Sequence, residues 1–208
     1  MPRYLTKSRF LLALDCPTKL YYTGKEQYPD KKCDNEFLDA LAKGGFQVGA
    51  LAKCYYPAGH EIETLNYDEA VQQTNELLQQ ENVVIFEAAI QVNRFYIRVD
   101  ILEKKGDTVN LIEVKSKSFD GNSSLDLKNK ENYLDTKWKP YVYDVAFQKH
   151  VVSLAHPDWN VRAFLMLADK NKITTVEGLN QKFLLREHAD ERTFICNQQI
   201  TLQRNQKV

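Results

Sequence analysis

The sequence predicts an α/β fold with a mixed central sheet of about four strands: an antiparallel meander, then a helix and a fourth strand, flanked by helices. Three observations predict it. Residues 1–80 read as mainly helical, with an apolar stripe at helical spacing over 35–54. At 83–115 the texture changes to apolar, β-branched runs separated by the tight turns Val92-Asn93-Arg94 and Gly106-Asp107. Pro140 then opens a second helical stretch, and Pro157-Asp158 ends it before the apolar run 161–168. The expected organisation is one domain over 1–208: a mainly helical part at 1–80, an α/β core at 83–168 and an extension at 169–208.

Taken in order, 5–14 reads as a short helix capped by Thr6 or Ser8 and followed by Pro17. The tyrosine- and lysine-rich stretch 19–32 reads as loop with at most one helical turn. A helix over 35–54 has an apolar stripe of Phe37, Leu38, Leu41, Val48, Leu51 and Ala52. Gly44-Gly45 interrupts its propensity, which close packing or a kink would explain. Pro57 and Gly59 mark a turn, and a helix over 67–80 has Asn66 as its cap. Strands are expected at 83–90, 95–102 and 109–115. Residues 116–139, with Gly121-Asn122, read as a loop, 140–155 as a helix and 161–168 as the fourth strand. Thr174 or Thr175 would cap a short helix ending near Phe183, with further strands at 183–186 and 194–202.

Charge and composition narrow the function classes. The 28 basic and 28 acidic residues cancel, so any nucleic-acid surface must be local. No apolar run approaches the ~20 residues of a membrane span, and the run after Met1-Pro2-Arg3 is too short for a signal peptide. Cys16, Cys33, Cys54 and Cys196 form no CxxC pair, which fits reduced thiols in a cytoplasmic protein. There is no P-loop, GxSxG or dinucleotide fingerprint.

The chemistry concentrates in RVDILEKKGDTVNLIEVKSKS. Glu113 and Lys115 are two apart and share a strand face; a hairpin register would set Asp100 against them. Two carboxylates and an ammonium suit a divalent ion and phosphodiester hydrolysis. Asp100 and Glu113 would ligate Mg²⁺ or Mn²⁺, the backbone carbonyl of Val114 could add a ligand, and Glu87 could hold a second ion or a metal-bound water. Lys115 would position the water or stabilise transition-state charge. Asp144 and Gln148, at i and i+4, share a helix face that could cover the site, with Gln148 orienting water, base or phosphate. Residues 115–139 hold six lysines against four acids. In that stretch Lys117, Tyr133 and Trp138 are candidate substrate contacts, the rings stacking on bases, with Asp144 beside them. The alternative for Asp100 alone, for the Asp144 face and for the lysine-rich stretch is a solvated surface; Ile85 and Ala89 share a face with Glu87 and could make it a core position. His60, His150, His156 and His188 lack zinc-site spacing.

Asp100…Glu113-x-Lys115 resembles the PD-(D/E)XK nuclease superfamily, and Asp144-Val-Ala-Phe-Gln148 resembles the glutamine-bearing motif of its RecB-like branch. Together with LTKSRFLLALDCPTKLYY, GGFQVGALAKCYYP, IFEAAI, RVDIL, IEVKSKS and DVAFQKHV, the chain from about Leu5 to Phe183 resembles the bacterial domain of unknown function 2779. The resemblance implies a restriction-endonuclease-like core. It also implies a metal-dependent deoxyribonuclease in DNA repair, processing or defence, with RNA an open substrate and a non-cleaving nucleic-acid-binding or structural module the alternative. Members are often longer, so the stretch fits part of a longer protein. Two departures stand out. RecB-like nucleases often place a histidine on the first core helix, whereas Gly45-Phe46-Gln47-Val48-Gly49 has none. Some relatives hold an iron–sulfur cluster with one early and three late cysteines; Cys16 resembles the early one, but only Cys196 lies late, so no such cluster is expected in this chain.

Overall fold

A computed structural model of the protein describes residues 3–28, 36–120, 127–174, 176–187 and 193–197. The chain divides into two compact units. The first draws on Met1–Cys33, Gly59–Glu113 and Leu127–Leu165, the second on Asp34–Ala58, Val114–Asp126 and Met166–Val208. The fold is α/β, with a five-stranded mixed sheet and five α-helices among the described residues. No helix among them is long and apolar enough to cross a membrane.

Helix α1 (Lys7–Asp15) begins where Thr6, in extended conformation, accepts the Arg9 N–H on its hydroxyl. Pro17 does more than end it. Cys16 closes α1 through its N–H to the Leu12 carbonyl, and Pro17 starts α2 (Pro17–Tyr22), where a missing N–H costs nothing. Helix α4 (Tyr67–Leu77) is capped by the Asn66 side chain, which accepts from the Asp68 and Glu69 N–H groups.

Strand β1 (His60–Glu61) pairs in parallel with β2 (Asn82–Val92), which pairs antiparallel with β3 (Phe95–Lys105); β3 continues to β4 (Thr108–Phe119) and the order ends at β5 (Asn160–Asp169). The sheet thus has one strand more than the sequence predicts. Two residues carry no readable period, so β1 is invisible to pattern analysis. Strands β2 and β3 are interior and nearly continuous in buried apolar residues, including Ile85, Ala88, Ile97, Val99, Ile101 and Leu102. Helix α4 and α5 (Lys139–Ala155) pack on β2. Phe10 of α1 stacks on Phe147 of α5 at 4.4 Å, and Phe95 meets the same ring edge-on at 5.8 Å. These rings hold α1 over the start of β3.

In the second unit α3 (Glu36–Lys53) runs without a break through Gly44-Gly45. A Cβ at either glycine would meet nothing within 4 Å, so close packing does not account for the pair. Cys54 and Phe183 are buried together beyond its end. Strands β6 (Phe183–Glu187) and β7 (Thr193–Asn197) form a separate two-stranded antiparallel sheet. The short helix expected before Phe183 is instead a 3₁₀ turn at Leu179–Lys182, and the Thr174 hydroxyl closes a local turn with the Val176 N–H. Cys33, Gly121-Asn122, Thr175 and His188 lie outside the described residues.

One buried polar link joins the α4 layer to the sheet. Beyond the two-residue β1, no strand among the described residues pairs with the edge of β2. There Thr74, fully buried on α4, accepts the Ala89 N–H at 2.9 Å and donates to the Ala70 carbonyl at 2.8 Å. Thr74→Val keeps the shape and strands the Ala89 donor, so it should cost about 1–3 kcal/mol in denaturant unfolding, the scale for a buried unsatisfied group. Thr74→Ser should recover most of the loss. Equal stabilities for valine and wild type would show that water replaces the hydroxyl.

Candidate active site

The site forms where two strands of the meander part. The β3–β4 ladder runs from Lys105↔Thr108 to Ile101↔Ile112. The next residue on each strand is the next acid: Asp100 on β3 and Glu113 on β4. Farther back on β3, a different segment takes the neighbouring place. Leu5 bridges Phe95 in parallel, with Leu5 N–H to the Arg94 carbonyl at 2.8 Å and Tyr96 N–H to the Leu5 carbonyl at 3.2 Å. Two residues on, at the first position of α1, Lys7 reaches between the acids.

The Lys7 ammonium donates to Asp100 Oδ1 at 3.3 Å and to Glu113 Oε2 and Oε1 at 3.0 and 3.3 Å. Glu113 is 1% exposed, whereas Asp100 and Lys7 are roughly a quarter exposed at their side chains. Burial works against the Lys7 charge. The carboxylates of Asp100, Glu113 and Asp144, with the hydrogen bond to Glu113, outweigh it and hold the ammonium protonated well above lysine's usual range.

Helix α5 supplies the other wall. Gln148, fully buried, donates from Nε2 to Glu113 Oε2 at 2.7 Å and to Asp144 Oδ1 at 2.9 Å. Both acceptors are carboxylates, so the amide must present its nitrogen to them. Its Oε1 is then buried with no hydrogen-bond partner among the described residues. The i, i+4 spacing of Asp144 and Gln148 on α5 makes this clamp possible.

The structure therefore brings Asp100, Glu113, Asp144 and Gln148 around one lysine. Glu87 directs its carboxylate to Arg98 Nε at 3.4 Å, and Arg98 also donates to the carbonyls of Thr64 and Ile62. Glu87 has a left-handed backbone, φ 55°, so the strict alternation expected with Ile85 and Ala89 fails there. Buried pairs flank it instead: Ile85-Phe86 before and Ala88-Ala89 after. Its role as a further metal ligand finds no support in this arrangement. Val114, Lys115 and Lys117 are half-buried residues of β4 beyond Glu113, in the second unit. Tyr133 is 73% exposed, as a stacking ring needs to be, but Trp138 is buried and sits edge-on to Tyr141. Trp138 is thus a packing residue, since a stacking platform requires an open ring face. Cys16 lies between α1 and α2, its thiol pKa lowered by the backbone N–H groups of Lys19 and Thr18.

Pattern reading missed Lys7. A signal existed: a helix N-terminus favours acids, yet the first turn of α1 has none and opens with a lysine. A cation at an unfavourable position invites a search for its partner.

Among the described residues, no three His, Cys, Asp or Glu side chains gather as a metal-binding group. The donor chemistry still fits a hard divalent ion. Mg²⁺ takes one or two carboxylates, keeps several waters and prefers oxygen, and Asp100 and Glu113 already converge on a cation.

Lys7→Met should destabilise the fold by about 3 kcal/mol, because it leaves a buried carboxylate facing a second one without its counter-charge. The folded-state pKa of Lys7 is raised above its unfolded value near 10.4. Its contribution is therefore complete at neutral pH and is lost only as pH rises through the folded-state value. Urea titrations of both proteins should show a constant stability gap from about pH 7 to pH 9 that narrows in strong alkali. A gap at pH 7 below about 0.5 kcal/mol, the worth of an exposed pair, would show that the three contacts do not hold in solution.

Compared with known proteins, the chain matches no family model, no curated protein and no solved structure.

Proposed function

We propose that the protein is a metal-dependent nuclease of the PD-(D/E)XK type, built on a restriction-endonuclease-like core and acting on DNA. The single observation that carries this reading is the convergence of Asp100 and Glu113, from adjacent strands, on one cation position backed by Gln148 and Asp144. Asp100 and Glu113 would hold Mg²⁺ or Mn²⁺. When bound, the ion would supply a water of lowered pKa and offset charge on the scissile phosphate.

The chain's own groups have separable tasks in this reading. Gln148 fixes one oxygen of Glu113 by hydrogen bonding and leaves the carboxylate oriented toward its strand neighbour. Asp144 holds Gln148 in that pose. Lys115, two residues past Glu113 on β4, would carry positive charge to the phosphate. Tyr133, exposed beside Lys128 and Lys130 in sequence, offers a ring for an unpaired base.

A second reading has one specific observation in its favour. Lys7 already pairs with both carboxylates, as a structural ion pair would in a binding module that does not cleave. Purified protein incubated with labelled single- and double-stranded DNA in Mg²⁺, Mn²⁺ or EDTA separates the two. The nuclease reading expects metal-dependent cleavage that EDTA abolishes. Lys115→Ala should lower the rate by about two orders of magnitude or more, the scale for removing one charge-stabilising group. Asp100→Ala should be at least as damaging and Gln148→Ala milder, each variant checked for folding by circular dichroism. DNA binding without cleavage in any metal would establish the binding module, and cleavage that survives Lys115→Ala would place the chemistry elsewhere.

A further inference from the structure

We propose that Lys7 is a tethered counter-cation, whose ammonium holds Asp100 and Glu113 together until a divalent ion entering between them displaces it. The inference rests on the metal reading of these carboxylates and extends it to a residue outside the superfamily motif.

Geometry makes the two cations exclusive. The ammonium stands 3.0 Å from Glu113 Oε2 and 3.3 Å from Asp100 Oδ1. An ion ligated by the same oxygens at about 2.0–2.1 Å would fall within the volume the ammonium fills. Two like charges at that separation repel strongly in a partly buried site. The carboxylates, by contrast, need a cation at all times. Glu113 is almost completely buried, and without a counter-charge the pair would repel and open the strand fork.

Lys7 is built to yield. Its backbone is pinned by the Leu5 bridge to β3 just before it and by the Arg9 N–H to Thr6 hydroxyl bond that spans it. Only the four-carbon stem is free to swing, and the partial exposure of the side chain gives it a path to solvent. Displacement therefore costs the fold little once the incoming ion bridges the carboxylates. Lysine suits this task better than arginine, whose planar fork would grip both carboxylates bidentately.

Calorimetric titration of the intact chain with Mn²⁺ tests the competition. Lys7→Met should bind on the order of tenfold tighter than wild type or better, because no resident charge opposes the ion. Lys7→Arg should bind no more tightly than wild type. Mass-spectrometric acetylation of wild type supplies a readout that needs neither a variant nor activity. Lys7 should label slowly without metal and several-fold faster in saturating Mg²⁺. Metal binding that is equal or weaker in Lys7→Met, or Lys7 labelling unmoved by a bound ion, overturns the proposal and leaves the metal reading standing. Absence of binding in wild type and both variants overturns the two together. Should Lys7→Met fail to fold, the labelling experiment decides alone.

Discussion

Helices α1 and α5 and strands β3 and β4 meet at one buried carboxylate, Glu113, and the core around it makes sense only if a cation is present. Glu113 sits at a place where a carboxylate could not remain ionised by itself, because desolvation of one charge costs several kcal/mol. Lys7 from α1 and the Gln148 amide from α5 supply it with a counter-charge and donors, and Asp100 from β3 shares the same ammonium. The aromatic contacts of Phe10 with Phe147 and of Phe147 with Phe95 serve the same end, since they set the distance at which α1 stands from the strands. Apolar packing fixes where the helix lies, and the ion pair fixes the fork.

That division explains how sequence reading fared. The meander was legible because its strands are long, apolar and separated by Asn93 and Gly106, which take the left-handed conformations that tight turns require. Helix α4 was legible through Asn66, and α5 through Pro140. The Asp144–Gln148 pairing was legible because helical spacing is a local property. What stayed hidden depends on tertiary context. Strand β1 exists only because β2 offers an edge, the Pro17 helix only because Cys16 caps two helices at once, and the burial of Trp138 only through packing. Glu87 is the instructive case: its left-handed φ resets the side-chain alternation, and no local residue preference announces such a break for glutamate.

Glu87 also shows how one departure can isolate a site. In the β2–β3 register the pairs Phe86↔Ile101 and Ala88↔Val99 flank the place where Glu87 would oppose Asp100. The backbone distortion sends the Glu87 carboxylate to Arg98, which is itself held by two loop carbonyls. This further acid is thereby paired with a cation of its own and adds no contact to Lys7 among those seen for Asp100 and Glu113. Backbone strain of this kind, costing about 1–3 kcal/mol, persists only where the surroundings enforce it.

The span between Lys7 and its partners has a further meaning for how the protein is made. Contacts across 93 and 106 residues close late, since the strands carrying the acids must emerge and pair before the lysine has anything to grasp. At the usual elongation rate of about 5–20 residues per second, the N-terminal helix waits roughly five to twenty seconds on the ribosome with its partner residues not yet synthesised. The carboxylate pair and its cation can therefore be united only after β3 and β4 have emerged. A nascent chain has no assembled cluster, and the arrival of Lys7 between the strands joins α1 to β3 and β4.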